Sequence, residues 1–206
     1  MRCGFRHEKK LRSLGIGCIA GIDEAGRGAL AGPVVAAAAI LPERFRHRKL
    51  KDSKQLSVDL REEIYHYLTN HSEIVWAVGI VDSLEIDRIN ILRASHLAML
   101  RAFEGCPSRP GYALVDGNQP PNLPCPITCI IGGDAISLSI AAASIIAKVE
   151  RDKIMRELAV AHPVYGWDTN VGYSTRDHLT ALKEHGPTPF HRKSFRPVYE
   201  LQLPLG

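Results

Sequence analysis

Four acids, Asp23, Glu24, Asp116 and Asp134, share one kind of position: each stands where an apolar run stops. Asp23 and Glu24 follow "CIAGI", Asp116 follows "YALV", and Asp134 follows "CIIGG". In open α/β sheets ligands gather at strand ends, so side chains far apart in the chain can converge there. Carboxylates forced together raise one another's pKa unless a cation neutralises them. An all-oxygen donor set suits Mg²⁺ or Mn²⁺, which keep waters and take phosphate oxygens at their open positions. Ordinary roles compete with this one. Asp116-Gly117-Asn118 has turn composition, and Asp134 is placed to cap a following helix. Neighbours in a strand face opposite ways, so Asp23 and Glu24 share a site only if their strand twists or ends there. Gly26 and Gly28 favour an ending.

The elements that must carry these acids are legible in the apolar pattern. Cys18 to Ile22 and "PVVAAAAIL" read as strands, and "IVWAVGIV" as a buried strand rich in β-branched residues. Between the second strand and Leu56 runs a polar, basic connector. Ser57 is a good N-cap for a helix with Leu60, Ile64, Tyr67 and Leu68 on one face. A second helix is expected over Ile89 to Glu104, with Leu92, His96, Met99 and Phe103 as its stripe. "YALVDGN" ends a strand at Asp116, and "ITCIIGGDA" is another that ends in a Gly-Gly-Asp turn. "SLSIAAASIIAKVERDKIMREL" is helical by propensity, buried at its start and solvated from Glu150. Ser174 with Asp177 resembles a capping box for a last helix over Thr175 to His185. The basic tail "GPTPFHRKSFRPV" is expected to be irregular. Strands mixed with helices imply an α/β sandwich, its sheet covered on both faces, with a helical appendage from about residue 160.

Composition narrows the class. A chain of 206 residues with 45% hydrophobic and 23% charged residues can bury a sizeable core and is not disordered by composition. No apolar stretch approaches the roughly 20 residues that span a bilayer. The first 17 residues are basic, lack a secretory h-region, and read as a loose arm of a cytoplasmic protein. Five cysteines, an odd number, contain no C-x-x-C pair. Cys125 and Cys129 are expected to be small buried hydrophobes rather than half of a zinc site. A net charge of +4 permits an anionic partner without demanding one.

With those motifs in view, "GIDEAGRGALAGPVVAAAAIL" resembles the signature of bacterial ribonuclease HII. "LKDSKQLS", "INILRASHLAM", "VDGN", "GGDAISLSIAAASIIAKVERD", "YGWDTNVGYSTRDHLTALKEHG" and "HRKSFRPV" follow in the family's order, over residues 18 to 198. The resemblance implies a ribonuclease H-like three-layer α/β/α fold with a central mixed sheet. It implies a catalytic core over 18–160 and a C-terminal extension over 161–206 packed on it. It also implies cleavage of the RNA strand of RNA–DNA hybrids and incision 5′ of single ribonucleotides in duplex DNA, by two-metal hydrolysis with Mn²⁺ or Mg²⁺. The family's acidic positions fall on Asp23, Glu24, Asp116 and Asp134, the first three as metal ligands in the absence of substrate. Its glycine–arginine–glycine motif falls on Gly26, Arg27 and Gly28. There glycines let backbone approach a ribose whose 2′-hydroxyl both donates and accepts. Arg27 adds charge near the scissile phosphate or, alternatively, pairs with Glu24. Tyr173 falls where the family sets a tyrosine against the sugar at the RNA–DNA junction. Ser53, Lys54, His191, Arg192 and Lys193 are expected phosphate contacts.

Departures from the family pattern are Ala29 in place of proline, Gly132 in place of a frequent lysine, and Glu150 in place of threonine. The last two imply a less basic site. Among rivals, a binding module without catalysis would disfavour four carboxylates beside a polyanion. A P-loop enzyme would need the G-K-[ST] that "GRGALAG" lacks. A monomer is expected, and the tail "YELQLPLG" carries no clear motif for a replication clamp.

Overall fold

A computed structural model describes residues 3–47, 49–50 and 56–201. Five strands form one mixed sheet in the order β3-β2-β1-β4-β5. They are β1 (Ile19–Ala25), β2 (Val34–Ile40), β3 (Val75–Val81), β4 (Tyr112–Asp116) and β5 (Ile127–Ile130). β1 pairs antiparallel with β2 and parallel with β4, so it is the central strand and the seam between the two halves. The helices are α1 (Arg6–Ser13), α2 (Val58–Asn70), α3 (Ser83–Ile89), α4 (Ile91–Glu104), α5 (Leu138–Ala161), α6 (Trp167–Asn170), α7 (Arg176–His185) and α8 (Arg196–Glu200).

Two faces close on the sheet. Ala37 and Ala39 of β2 pack into a cluster with α2 and α5, while Ala36 and Ala38 pack with α4 on the other side. A strand buried on both faces reads as a continuous apolar run rather than an alternating one, which is why "VVAAAA" contains no polar residue. Its small side chains let both helices approach. At Gly21 the approach is closest: a Cβ there would stand 2.0 Å from the Ser139 carbonyl carbon, so α5 begins directly against the β1 backbone. This is the ribonuclease H-like three-layer arrangement. Among the described residues no helix is long and apolar enough to cross a membrane.

Several local expectations change. β3 is an edge strand with mostly half-buried residues, not a buried one. The helix expected over Ile89 to Glu104 is present as α4, and a further short helix, α3, precedes it. Asn90 separates the two with a φ of 69° and caps α4 by accepting from the Arg93 amide. Tyr65, not Tyr67, joins Ile64 and Leu68 on the buried face of α2. The cap of α7 is Thr175, whose hydroxyl accepts from the His178 amide, and Ser174 plays no part in it. The N-terminal arm is not loose. Gly4 bridges Ser137, and the buried Glu8 of α1 accepts from the Ser137 hydroxyl (2.6 Å) and the Ser139 amide (3.1 Å), clamping the first turn of α5.

Candidate active site

β1 does not end before its acids. It runs through Asp23 and Glu24 to Ala25, so the two carboxylates leave opposite faces of the strand. Asp23 sits opposite Ala37, on the face that α5 covers, and Ser144 of α5 hydrogen-bonds its side chain. Glu24 sits opposite Ala36, on the α4 face. Both still border one cleft because the β1–β4 ladder stops at Ile22–Val115, one residue short of Asp23 and Asp116. The sheet opens there, and Asp116 at the end of β4 lines the same cleft, whose volume is about 480 Å³.

The charges in it are unsettled. Burial, then Glu24, then Asp116 push the Asp23 carboxyl well above the usual carboxylate range, against the hydrogen bonds from Ser144 and from the Glu24 amide (2.7 Å). Glu24 is pushed up by burial; Arg27, at 3.4 Å from its Oε1, pulls it down, and Asp116 adds to the rise. Among the described residues no three acids, histidines or cysteines close into a coordination cluster. The donor set nevertheless fits a hard divalent cation: it is all oxygen, and its mutual repulsion is what such an ion relieves. Asp134 is buried in the turn after β5 and is not among the residues that line the cleft; its carbonyl oxygen lies 3.9 Å from the Cys3 thiol that donates to it. Its turn touches the site through the Gly133 amide, which donates to Asp116 Oδ1 (2.6 Å).

Gly26, Arg27 and Gly28 form the rim above these acids. The two glycines differ. Gly26 is buried with a φ of +90°, and a Cβ on it would stand 1.8 Å from the Arg151 side chain, so the fold itself requires glycine. Gly28 is exposed, and a Cβ on it would meet nothing within 4 Å. No contact within the described residues calls for glycine there. Across the cleft stands Tyr173, 36% exposed, with Lys148 Nζ at 5.9 Å and Arg151 Cζ at 5.4 Å from its ring centre.

Comparison with known proteins bears on this site directly. The family model described as Ribonuclease HII matches residues 20–198, the stretch that contains the whole cleft. The chain belongs to the ribonuclease HII family. A ribonuclease HII of Paramagnetospirillum magneticum is 54% identical over 191 residues, covering 91% of this chain and 94% of its own. Among solved structures, ribonuclease H2 from Pyrococcus horikoshii superposes with a TM-score of 0.74 at 27% identity, covering 89% of this chain and 96% of that one. Bst-RNase HIII in complex with Mn²⁺ shares the fold at a TM-score of 0.68 and 19% identity, covering 93% of this chain and 71% of that one.

Membership of ribonuclease HII sharpens what the sequence misjudged. His191 and Arg192 are 1% and 0% exposed, so the expected phosphate contacts are inside the protein. The Arg192 guanidinium donates to the carbonyls of Gly26 (2.7 Å), Arg27 (3.0 Å) and Gly32 (3.0 Å). The His191 ring accepts from the Thr188 amide at Nδ1 (3.0 Å), which leaves its proton on Nε2, 3.1 Å from His178 Nε2. His178 in turn donates from Nδ1 to the Tyr173 carbonyl (2.8 Å). Burial holds both rings below the usual histidine range, His191 at about 4 with further help from the charges of His178 and His162. Only Lys193 of that trio is exposed. Ser53 and Lys54 lie outside the described residues. Glu150 faces α2, accepting from Tyr65 of that helix and from Lys153 of its own, and neither of these partners is a cation of the cleft. Gly132 adopts a φ of +65° in the turn before Asp134. Cys125 and Cys129 are free and half-buried. The residues missed altogether are Ser144, Lys148 and Arg151. Ser144 and Lys148 line the cleft, while the buried Arg151 packs beside Tyr173 and donates to loop carbonyls. The i, i+4, i+7 spacing of "SIIAKVER" marks one helix face once one end of it is known to touch the site.

Proposed function

We propose that this cleft hydrolyses the RNA strand of RNA–DNA hybrids and incises duplex DNA on the 5′ side of single embedded ribonucleotides, leaving 5′-phosphate and 3′-hydroxyl ends. Asp23, Glu24 and Asp116 would hold Mn²⁺ or Mg²⁺, with Asp134 completing the set when substrate is present; Mn²⁺ is the ion in the Bst-RNase HIII complex of the same fold. Two such ions, when bound, supply a water of lowered pKa and neutralise charge on the departing 3′-oxygen. The chain's own groups do the rest. Ser144 and the Glu24 amide orient the Asp23 carboxylate. Arg27, half-exposed beside Glu24, and Lys148 on α5 present positive charge to a phosphate. Gly28 admits the ribose edge, and the Tyr173 ring offers a flat face for a sugar, with a hydroxyl in reach of the 2′-OH.

One observation carries this reading: mutually repelling carboxylates, a glycine that the fold does not need and an exposed tyrosine border the same cleft. A nuclease blind to ribose would need the first alone. The protein is proposed to act as a monomer in the cytoplasm, where its five free thiols stay reduced. The test offers end-labelled duplex DNA with one internal ribonucleotide, a continuous hybrid and an all-DNA duplex, with Mn²⁺ or Mg²⁺. Incision 5′ of the ribonucleotide, cleavage of the hybrid and no cut in the all-DNA duplex are expected. Failure to cut either ribose-containing substrate with both ions, or equal cutting of all three, would overturn the reading.

A further inference from the structure

We infer that Arg192 is a positioning residue for the Gly26–Gly28 backbone, turning two of its carbonyls inward so that the amides of Arg27 and Gly28 face the cleft as donors to the substrate. The inference rests on the proposed reading of ribose by this segment and names the residue that sets its polarity.

The geometry follows from the peptide unit. Every peptide bond described is trans, and in a trans peptide the carbonyl of one residue and the amide of the next point in opposite directions. Arg192 Nη2 donates to Gly26 O at 2.7 Å, so the Arg27 N–H faces away from the interior. Its Nη1 donates to Arg27 O at 3.0 Å, so the Gly28 N–H does too. Arg27 and Gly28 are themselves exposed, and no side chain of Gly28 covers these amides. Two adjacent outward N–H groups make a concave donor pair of the kind that binds anions and hydroxyl oxygens. The third donor, Nε to Gly32 O at 3.0 Å, and the Arg192 amide to Leu30 O at 2.8 Å fasten the far end of the loop.

Only a guanidinium does this. Its planar fork spreads donors over three carbonyls, whereas an ammonium concentrates them at one point. The group is also expensive: it is wholly buried and its hydrogen-bond partners are carbonyls rather than carboxylates. Burial and the neighbouring Arg151 charge bring its pKa down to about 9, which leaves it charged at neutral pH. Arg151 repeats the pattern one layer below, donating to Pro33 O (2.9 Å), Ala31 O (3.1 Å) and Val171 O (2.8 Å). The same tail segment reaches Tyr173 through His191 and His178, so the two halves of the sugar-facing rim hang from one buried network.

The experiment compares the wild-type chain with Arg192→Lys and Arg192→Ala on the lone-ribonucleotide duplex. Arg192→Lys is expected to unfold cooperatively, to keep KM within about threefold, and to lose about 10²-fold in kcat, the scale of an ångström-level misplacement. Millimolar guanidinium is expected to restore at least about tenfold of the Arg192→Ala rate, with methylammonium ineffective; a merely destabilised fold would gain nothing from guanidinium, a denaturant too dilute here to matter. If the alanine variant does not fold, the lysine variant decides. Full kcat in Arg192→Lys, or a loss confined to KM as for a direct phosphate contact, would overturn the inference. Should the wild type cut neither ribose-containing substrate, the functional reading falls by itself. Backbone orientation is then judged by amide exchange: Arg27 and Gly28 exchange fast in the wild type and change rate in Arg192→Lys. Unchanged rates would overturn the inference on their own.

Discussion

Two polar regions flank the rim of the cleft, and they are opposites. Below Arg27, the buried Asp23 and the half-buried Glu24 and Asp116 repel one another, and burial and that repulsion outweigh the donors that Asp23 and Glu24 receive. Behind Gly26, the Arg192, His191 and His178 groups are buried, and their donors meet neutral acceptors at about 3 Å. A buried polar group that is satisfied rigidifies its surroundings, and one that is not is poised for a ligand. The difference separates the residues proposed to do the chemistry from those proposed to aim them, although both kinds are polar and close together.

The comparison breaks most visibly at the acids. Asp23→Asn and Asp116→Asn should each lower cleavage by at least about 10³-fold, several kcal/mol of lost charge stabilisation. Metal-free stability should move the other way. A carboxyl whose pKa rises on folding contributes stability below its unfolded pKa and loses it as pH climbs through the folded value. At neutral pH the Asp23 charge is therefore a burden. Calorimetry without divalent ions should show Asp23→Asn melting higher, by about 2–4 °C per kcal/mol relieved. A lower melting temperature would mean the site is not strained.

The two glycines divide the same way. Gly26→Ala meets a positive φ and the Arg151 side chain and should cost on the order of 2–3 kcal/mol in denaturant unfolding. Gly28→Ala should leave stability within about 0.5 kcal/mol while slowing incision at a lone ribonucleotide. Intact activity in a stable Gly28→Ala enzyme would remove the case for backbone reading.

On the satisfied side, His191 is held neutral, with its pKa lowered from the usual 6.5 to about 4. The unfolded chain then binds the extra proton, so this stability is complete above about pH 6.5 and is lost as pH falls toward 4. Unfolding free energy should drop by about 2 kcal/mol between pH 7.5 and 5.0 from this residue, and His178 acts in the same direction. His191→Asn, which keeps an acceptor for the Thr188 amide, should flatten that slope. An unchanged slope would show that the histidine is not the source.

Smaller effects sharpen the contrast. Tyr173→Ala should impair lone-ribonucleotide incision about tenfold more than hybrid cleavage, because only the first substrate presents a deoxyribose junction at every site. Equal losses would assign Tyr173 to general binding. Glu150→Ala should change cleavage by less than about threefold, since its partners are Tyr65 and Lys153 on the far side of α5.

The acids and the glycine–arginine–glycine rim were legible because strand ends and glycine spacing are local signals. "HRK" misled for an equally physical reason. A basic tripeptide in an irregular tail has the composition of a phosphate-binding surface, and burial is not written in composition. Ser144, Lys148 and Arg151 were hidden inside a helix that reads simply as Ala-rich and buried. The short helix α3 went unread because seven residues carry too few turns for a helical period to show.

What the amino-acid order determined alone is the inventory: which apolar runs become strands and helices, which acids follow them, and the family to which the ordered motifs belong. These follow from interactions between residues near in the chain, periodicity and turn chemistry above all. Tertiary structure decided which charges are left in conflict and which are satisfied. It buried Asp134 in the turn after β5, and it brought Arg192, 166 and 165 residues further along the chain, to hold Gly26 and Arg27 by their carbonyls. Those outcomes depend on where carbonyls, amides and water lie around each group, and only the folded chain specifies that.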